Sequence, residues 1–457
     1  MKYAILLLIL ITASCSKEYD LVISNVGVID LKTGGISVGD VCIRDSLVVE
    51  IGSPNTAARN ATKTLDGTGK YLMPALWDMH VHIQDSTYLS MFLDYGITGV
   101  RDMGGCVDHP TDGCESLCPE FLNSWKEAIK KGEMRGPEVF IAGTQLSGTG
   151  WPSSLSVLTP AEVDLAFKKN QEDQVDFIKV YEQIPWEAYR QIARLAKVHG
   201  LDFVGHVSEP FLLSDILELG QKSIEHMREP ILYSFTEDSL ELAEFLDADD
   251  YTAADREFVK PWMEDAENVI QAFKKNQAWF TPTMAVQFAR LRYRDDPWRN
   301  HRLREQLPSS VNAGMEAHMK SMEASADHKG DSLWWMALTR LVKRFNDEPI
   351  GLLAGSDAAC EGGLPGYSLH EELFLMVEAA GLSPLDALRT ATTNPAAYFD
   401  LAKNGEVQKN YYADLILLEN NPLDNIRNTL SIKAVIKKGR IQRLHVDAQL
   451  RMYGSFL

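Results

Sequence analysis

Positive charge is in short supply in this chain of 457 residues. Its 45 lysines and arginines face 64 aspartates and glutamates, which leaves a formal net charge of −19. An acidic protein repels the phosphates of nucleic acids and the anionic headgroups of lipids. We therefore expect no nucleic-acid partner. The 45% of hydrophobic residues is typical of a folded globular protein.

The chain begins with an apolar run that is too short to span a bilayer. A single lysine precedes this run, and small residues follow it up to Cys15, as in an export signal. This end is similar to the bacterial lipobox, in which the cysteine becomes the lipidated first residue of the mature protein. The sequence predicts a signal peptide over 1–15 and a periplasmic or cell-surface lipoprotein that touches the membrane only through the lipid on Cys15. A plain signal peptide without lipidation is the alternative.

Cysteine is also rare, with six in the chain. Three of them lie close together in a segment rich in Gly, Pro and Asp: Cys106, Cys114 and Cys118. Because thiols of exported proteins can be oxidised, we expect one disulfide within this loop. A structural zinc held together with His109 is the alternative. Cys42 and Cys360 are interpreted as single packed thiols.

Short strands separated by turn residues occur near both ends of the chain. One such stretch covers 19–72 and another covers 401–445. Neither is long enough to form a stable sandwich alone. We therefore expect the two stretches to pair into one small β-sandwich domain, with the large segment 73–400 inserted between them.

The inserted segment alternates apolar strands with amphipathic helices, the pattern of parallel β-α-β units. Eight strands are predicted, at 78–82, 97–102, 138–142, 177–181, 203–207, 223–226, 279–284 and 351–357. Eight is the number that a (β/α)8 or TIM barrel requires, so the predicted fold class is α/β. Two long connections, 228–277 and 287–347, are helical in pattern. They are interpreted either as a lid or as extra packing helices.

Metal-binding residue types stand at the ends of five predicted strands. Strand one ends in His80 and His82, strand five in His206, strand six in His226 and strand eight in Asp357. Lys179 ends strand four and would point into the barrel, where a neutral amine can add carbon dioxide to form a carbamate. Each residue alone has an ordinary explanation, such as a core histidine or a capping aspartate. Because barrel enzymes collect their catalytic groups at the carboxyl ends of the strands, the coincidence of all six favours a metal site.

This arrangement of residues resembles the binuclear form of the amidohydrolase superfamily. The segments IKVY, AKVHGLDFVGHV, SIEHM, GSDA and ADLILLENNPLDNI are similar to its imidazolonepropionase-related, prolidase-like branch. The likeness covers nearly all of the chain beyond the signal peptide. The sequence departs from the family pattern before ADLILLE, where it reads GEVQKNYYAD.

The resemblance implies a metal-dependent hydrolase with two divalent ions, zinc first and manganese or cobalt as alternatives. In that pattern the ligands form three sets: His80, His82 and Asp357 on one ion, His206 and His226 on the other, and a carbamate on Lys179 that bridges both. The ions would lower the pKa of a bound water and polarise a scissile carbonyl. Asp357 would carry the proton to the leaving group.

The expected substrate is a small molecule with an amide C–N bond, such as a dipeptide or an N-acyl amino acid, and prolidase-like activity is the specific prediction. Tyr181 is predicted to donate to an oxyanion and Arg228 to hold a substrate carboxylate, although packing and a surface ion pair explain them equally well.

One alternative is a mononuclear deaminase or cyclic-amide hydrolase, against which Lys179 argues. Others are a lactonase or phosphotriesterase, and a lipid-anchored binding protein without activity. The sequence leaves the oligomeric state open.

Overall fold

The structure is a computed structural model that describes residues 18–57, 60–105, 116–149, 153–208, 211–226, 267–292, 301–325 and 328–444. Several predictions lie outside these residues, namely those on the signal peptide, Cys15, Cys106, His109, Cys114 and Arg228. Within the described ranges, no helix combines the length and the apolar character needed to cross a membrane.

The strands, in chain order, are β1 (Tyr19–Ile29), β2 (Ile36–Arg44), β3 (Leu47–Gly52), β4 (Ala61–Asp66), β5 (Tyr71–Pro74), β6 (Leu76–Val81), β7 (Ile97–Asp102), β8 (Glu138–Ile141), β9 (Gln145–Ser147), β10 (Ser154–Ser156), β11 (Phe177–Val180), β12 (Asp202–Gly205), β13 (Ser223–Glu225), β14 (Trp279–Thr281), β15 (Gly351–Leu352), β16 (Leu415–Leu418), β17 (Ile432–Lys437) and β18 (Arg440–Leu444).

The α-helices are α1 (Thr87–Asp94), α2 (Pro119–Lys131), α3 (Pro160–Glu172), α4 (Trp186–His199), α5 (Leu213–Glu218), α6 (Glu267–Asn276), α7 (Met284–Leu291), α8 (Ser309–Ser325), α9 (His328–Asp347), α10 (Tyr367–Glu378), α11 (Pro384–Thr390) and α12 (Thr393–Tyr398). Short 3-10 helices cover Arg302–Gln306, Cys360–Gly362 and Ile426–Leu430.

Strands from both ends of the chain form one sheet, in the order β18-β17-β16-β5-β1-β2-β3 with β4 beside β1. β16 runs antiparallel to β5, with Leu417 opposite Leu72, so the C-terminal strands continue the N-terminal ones. Alternate residues along the strands, such as Leu415 and Leu417 of β16, share one core with residues of β1, β2 and β3. The sheet therefore curves around its own core, and the predicted pairing of the two chain ends is confirmed.

All eight predicted barrel strands are present, as β6, β7, β8, β11, β12, β13, β14 and β15, and neighbouring strands run parallel. Hydrogen bonding places β6 to β8 in one sheet and the other strands in a second. The two sheets meet at both edges, where the Met79 N–H donates to the Ala354 carbonyl (2.9 Å) and the Asp176 N–H to the Ile141 carbonyl (2.8 Å). The predicted α/β fold with a TIM barrel is confirmed.

Amphipathic helices cover the outside of the barrel. In α4 the buried residues recur at spacings of three and four, as at Ala188, Ile192, Leu195 and Ala196, which is the pattern of a helix with one apolar face. Gly200 ends α4 in the left-handed conformation that glycine adopts without strain. The second long connection, 287–347, contains α8 and α9 as its pattern indicated.

Strand eight approaches strand one so closely that position 355 has no room for a side chain. A Cβ added at Gly355 would lie 2.6 Å from Thr281 Cγ2, 2.7 Å from His80 Cβ and 3.0 Å from His80 N. Real carbon atoms do not approach one another so closely, so the strands would have to separate. Glycine at 355 therefore allows the backbones that carry His80 and Asp357 to lie side by side.

We predict that Gly355→Ala lowers the free energy of unfolding by about 2 kcal/mol, because forcing a methyl group into filled space costs roughly 1–3 kcal/mol. Urea unfolding measures the loss. Gly314 is the matched control, since it lies in α8 and a Cβ added there meets nothing within 4 Å. Gly314→Ala should be neutral or stabilising by up to about 1 kcal/mol. A Gly355→Ala protein as stable as the wild type would contradict the close approach.

Candidate metal centre

The ends of strands one and eight bring His80, His82 and Asp357 together. The Nε2 atom of each histidine lies 3.4 Å from Asp357 Oδ1, and all three side chains are buried. The Asp357 N–H donates to the His80 carbonyl at 2.8 Å, which fixes the two strand ends relative to each other. The predicted His-x-His pair and the predicted aspartate therefore converge on one point.

Two further imidazoles stand beside this group. The ring of His226 lies 4.6 Å from that of His80, and His226 Nδ1 lies 3.8 Å from Asp357 Oδ2. The ring of His206 lies 5.1 Å from that of His226. His80, His226 and Asp357 each offer a ligand atom within 4.8 Å of the others. The four histidines that the sequence placed on three different strands thus form one cluster.

Each of the four histidines is held through its Nδ1 atom. The partners of Nδ1 are Glu225 Oε2 for His80 (3.0 Å), the Gly104 carbonyl for His82 (2.8 Å), Glu182 Oε1 for His206 (3.2 Å) and Thr283 Oγ1 for His226 (2.6 Å). A carbonyl or carboxylate can only accept, so Nδ1 of His80, His82 and His206 carries the proton. The lone pair of these rings then lies on Nε2, as it does in histidines that bind metals.

The surroundings of His80 and His82 fit a divalent cation. His80 is completely buried, and its Nε2 has no hydrogen-bond partner among the residues that the structure describes, which costs about 1–3 kcal/mol unless another ligand satisfies it. Burial, and then the charge of Lys179, lower the pKa of His80 well below its usual value and that of His82 to about 3. Both rings are therefore neutral, and neutral imidazole with carboxylate is a donor set that suits zinc and related ions.

Lys179 reaches the same place from strand four. Its side chain is 1% exposed, and its charge lowers the pKa of both His80 and His82. A Cβ added at Gly205 on the neighbouring strand would lie 3.1 Å from Lys179 Cδ, so the glycine leaves the space in which the lysine stem lies. The structure therefore brings Lys179 to the cluster, as the sequence predicted.

Of the two predicted substrate residues, Tyr181 lies beside the cluster. Its ring is 4.1 Å from the ring of His206, and it is partly exposed. Its role as a donor to an oxyanion stays a prediction. Arg228 is outside the described residues, so its contact with a substrate carboxylate stays a prediction.

A buried ion pair beneath the histidines did not follow from the sequence. Arg101 and Glu225 are both fully buried, and Arg101 Nη2 donates to both carboxylate oxygens at 2.8 Å. Arg101 also donates to the Met79 carbonyl at 2.6 Å and to Tyr398 Oη at 2.9 Å. Because Glu225 accepts from His80 Nδ1 as well, the ion pair fixes the orientation of that imidazole.

The structure also shows two different surroundings for the cysteines. Cys118 is disulfide-bonded, whereas Cys42 and Cys360 are buried thiols. Cys42 packs in the terminal sheet as expected. Cys360 lies next to His82 and Asp357, so interpreting it as a packed thiol overlooked its position.

The fold and the cluster together define a class of metal-dependent hydrolases, in which strand ends of a TIM barrel gather histidines, a lysine and an aspartate. The family model described as the Amidohydrolase family matches residues 71–442. The chain therefore belongs to the amidohydrolase family.

Individual relatives are more distant. Ochratoxinase of Aspergillus niger is 36% identical over 88 residues, which are 19% of this chain and 17% of the length of ochratoxinase. The solved structure of a Xaa-Pro dipeptidase with bound methionine has a TM-score of 0.65 and 18% identity and covers 92% of this chain and 99% of that chain. Bottromycin amidohydrolase has a TM-score of 0.68 and 20% identity, with 92% and 86% covered. At these identities the solved structures show the fold.

We predict that Glu225→Gln lowers the free energy of unfolding by about 3 kcal/mol, because it leaves the charge of Arg101 buried without its partner. Arg101→Met should cost a similar amount, and the double variant should lose less than the sum of the two. Urea unfolding of the four proteins measures this coupling as a double-mutant cycle.

The control for this cycle is an exposed ion pair. Lys168 and Glu172 on α3 lie 3.9 Å apart and are 74% and 62% exposed. Replacing Glu172 with Gln should change the stability by less than about 0.5 kcal/mol. Strictly additive losses at Arg101 and Glu225 would show that the two residues do not stabilise each other.

Proposed function

We propose that this amidohydrolase cleaves an amide C–N bond in a small substrate and uses two divalent ions, most simply zinc. Dipeptides that end in proline and N-acyl amino acids are the proposed substrate class. The observation that carries the proposal is the burial of Lys179 beside His80 and His82. A positively charged ammonium there would repel a cation, whereas a carbamate would bind two.

The ligands divide according to their contacts. Asp357 Oδ1 lies 3.4 Å from both His80 and His82, and these three residues would hold one ion. His206 and His226 would hold the second ion, and the carbamate on Lys179 would lie between the two. The Nδ1 partners, among them Glu225 and Glu182, would keep the rings oriented and make them stronger donors.

The bound ions would supply a nucleophile at neutral pH and polarise the scissile carbonyl. Asp357 Oδ1 lies between the Nε2 atoms of His80 and His82, where the carboxylate can take the proton of the nucleophile and hand it to the leaving nitrogen. Tyr181, beside His206, would donate its hydroxyl to the oxygen that becomes negative.

The choice of an amide substrate is supported by the relatives. The similar solved structures include a Xaa-Pro dipeptidase and an amidohydrolase named for bottromycin, and one of the relatives by sequence is ochratoxinase. Because one fold hosts many chemistries, a panel of substrates tests the choice of an amide.

We expect two divalent ions per chain by elemental analysis, and hydrolysis of dipeptides or N-acyl amino acids in a panel that also contains lactones and phosphotriesters. Chelation should abolish turnover, and added zinc should restore it. One ion per chain with release of ammonia would indicate a mononuclear deaminase instead. Turnover confined to lactones or phosphotriesters would replace the amide proposal, and protein with neither metal nor turnover would indicate a binding protein.

We predict that Asp357→Asn lowers kcat at least about 100-fold, because a general acid–base group contributes roughly 10²–10⁴-fold. The amide oxygen of Asn can still bind a cation, so the metal content should fall much less than the rate. Asp424→Asn, at an exposed position near the terminal sheet, is the matched control and should keep full activity. A normal kcat in Asp357→Asn would show that Asp357 does not transfer the proton.

A further inference from the structure

We propose that Cys360 is an additional protein ligand of the metal centre, on the side formed by His82 and Asp357. This inference rests on the proposed function, because it concerns the same centre. The ligand set that the resemblance implies contains no cysteine, and the thiol is three residues beyond Asp357 in the chain.

The first support is the spacing of the donor atoms. The sulfur of Cys360, a ring nitrogen of His82 and a carboxylate oxygen of Asp357 all lie within 4.8 Å of one another, and the three residues are buried. Bonds of about 2.0–2.3 Å to one zinc ion at tetrahedral angles place ligand atoms roughly 3.3–3.8 Å apart. A cation between the three atoms therefore needs each side chain to move by about 1 Å or less.

The backbone holds the thiol in this place. The Cys360 N–H donates to the Asp357 carbonyl at 2.7 Å, and the His82 N–H donates to the Ala358 carbonyl at 2.6 Å. The turn that follows strand eight is therefore bonded both to itself and to the end of strand one. Because Cys360 and Asp357 stand on the same tight turn, their side chains share one small volume beside His82.

A second, independent observation points to a cation at this position. His80 Nε2 is buried and without a hydrogen-bond partner in the described part of the chain, and it lies 3.4 Å from Asp357 Oδ1. A cation that satisfies this nitrogen would also touch the carboxylate that Cys360 approaches. Asp357 therefore links Cys360 and His82 to a buried nitrogen of His80 that requires a ligand.

Ligation by Cys360 changes the chemistry of the centre. On binding, the S–H bond breaks, a sulfur–metal bond forms, and the proton leaves to solvent, so one more proton is released than with imidazole ligands alone. A thiolate is a soft ligand that favours zinc or cobalt over magnesium and manganese. We therefore expect the centre to select zinc or cobalt more strongly than a site of nitrogen and oxygen ligands.

The test is cobalt(II) substitution of the full chain, read by absorption spectroscopy. We expect a sulfur-to-cobalt charge-transfer band in the near ultraviolet that is lost in Cys360→Ser and in Cys360→Ala. Cys42→Ser, which removes the buried thiol of the terminal sheet, is the matched control and should keep the band. The Kd for zinc should rise on the order of tenfold or more in Cys360→Ser.

The outcomes separate this inference from the proposed function. The inference would be overturned if the wild type bound the normal amount of cobalt without a sulfur band. It would also be overturned if Cys360→Ser left the band unchanged. Amide turnover by the same protein would then still support the proposed function. A wild-type chain that binds no cobalt or zinc would overturn both. Circular dichroism of Cys360→Ser and Cys360→Ala must match that of the wild type, so that loss of the band reports loss of the sulfur ligand and not loss of the fold.

Discussion

The contact between strand one and strand eight is the constraint on which the site depends. Asp78 accepts hydrogen bonds from the Ser356 N–H at 2.9 Å and from Ser356 Oγ at 2.6 Å, one residue before Asp357. Gly355 lets the two backbones approach, since any side chain there would meet His80. These contacts are made entirely within the buried interior, where polar groups are strongly held once they are paired. His80 and Asp357 therefore meet because the strands that carry them are joined directly beneath the site.

Beneath the histidines, the barrel is polar where many barrels are filled by apolar layers. The ion pair of Arg101 with Glu225 is completely buried, and such a pair adds little to stability because its charges lose their hydration. The ion pair instead fixes the position of side chains: Arg101 donates to both oxygens of Glu225, and Glu225 accepts a hydrogen bond from Nδ1 of His80. Rotation of that ring would break its hydrogen bond to a buried carboxylate, and a buried polar group that loses its partner is costly. The buried ion pair therefore orients the imidazole of His80 and contributes little to the stability of the fold.

The sequence predicted most of the fold, because the alternation of strands and helices and the residues at strand ends are local patterns. It predicted that His206, His226 and Lys179 would share a site, since parallel strands of a barrel end at one rim. It did not predict that Glu225 pairs with Arg101, 124 positions away, because periodicity assigns a residue to a face and does not name its partner. A charge in the apolar strand ITGVRD was the available signal. Cys360 was interpreted as a packed thiol for a related reason, since its place depends on a tight turn after Asp357 whose conformation no periodic pattern encodes.

The electrostatics of the proposed centre provide the link between Lys179 and Cys360. Imidazoles that bind a metal do so in the neutral form, so without a carbamate Asp357 would be the one anion among the six predicted ligands of two divalent ions. Buried charge is tolerated only when it is compensated. Conversion of Lys179 from an ammonium to a carbamate would change the local charge by two units towards the negative. A thiolate at Cys360 would add a third negative group to the carboxylate and the carbamate, and a deprotonated water a fourth, which would balance the four positive charges of two divalent ions. Glu182 and Glu225 are not needed in this balance, since the first is partly exposed and the second is neutralised by Arg101. With two divalent ions bound, charge compensation would favour a thiolate at the position beside His82 where the turn after strand eight places Cys360.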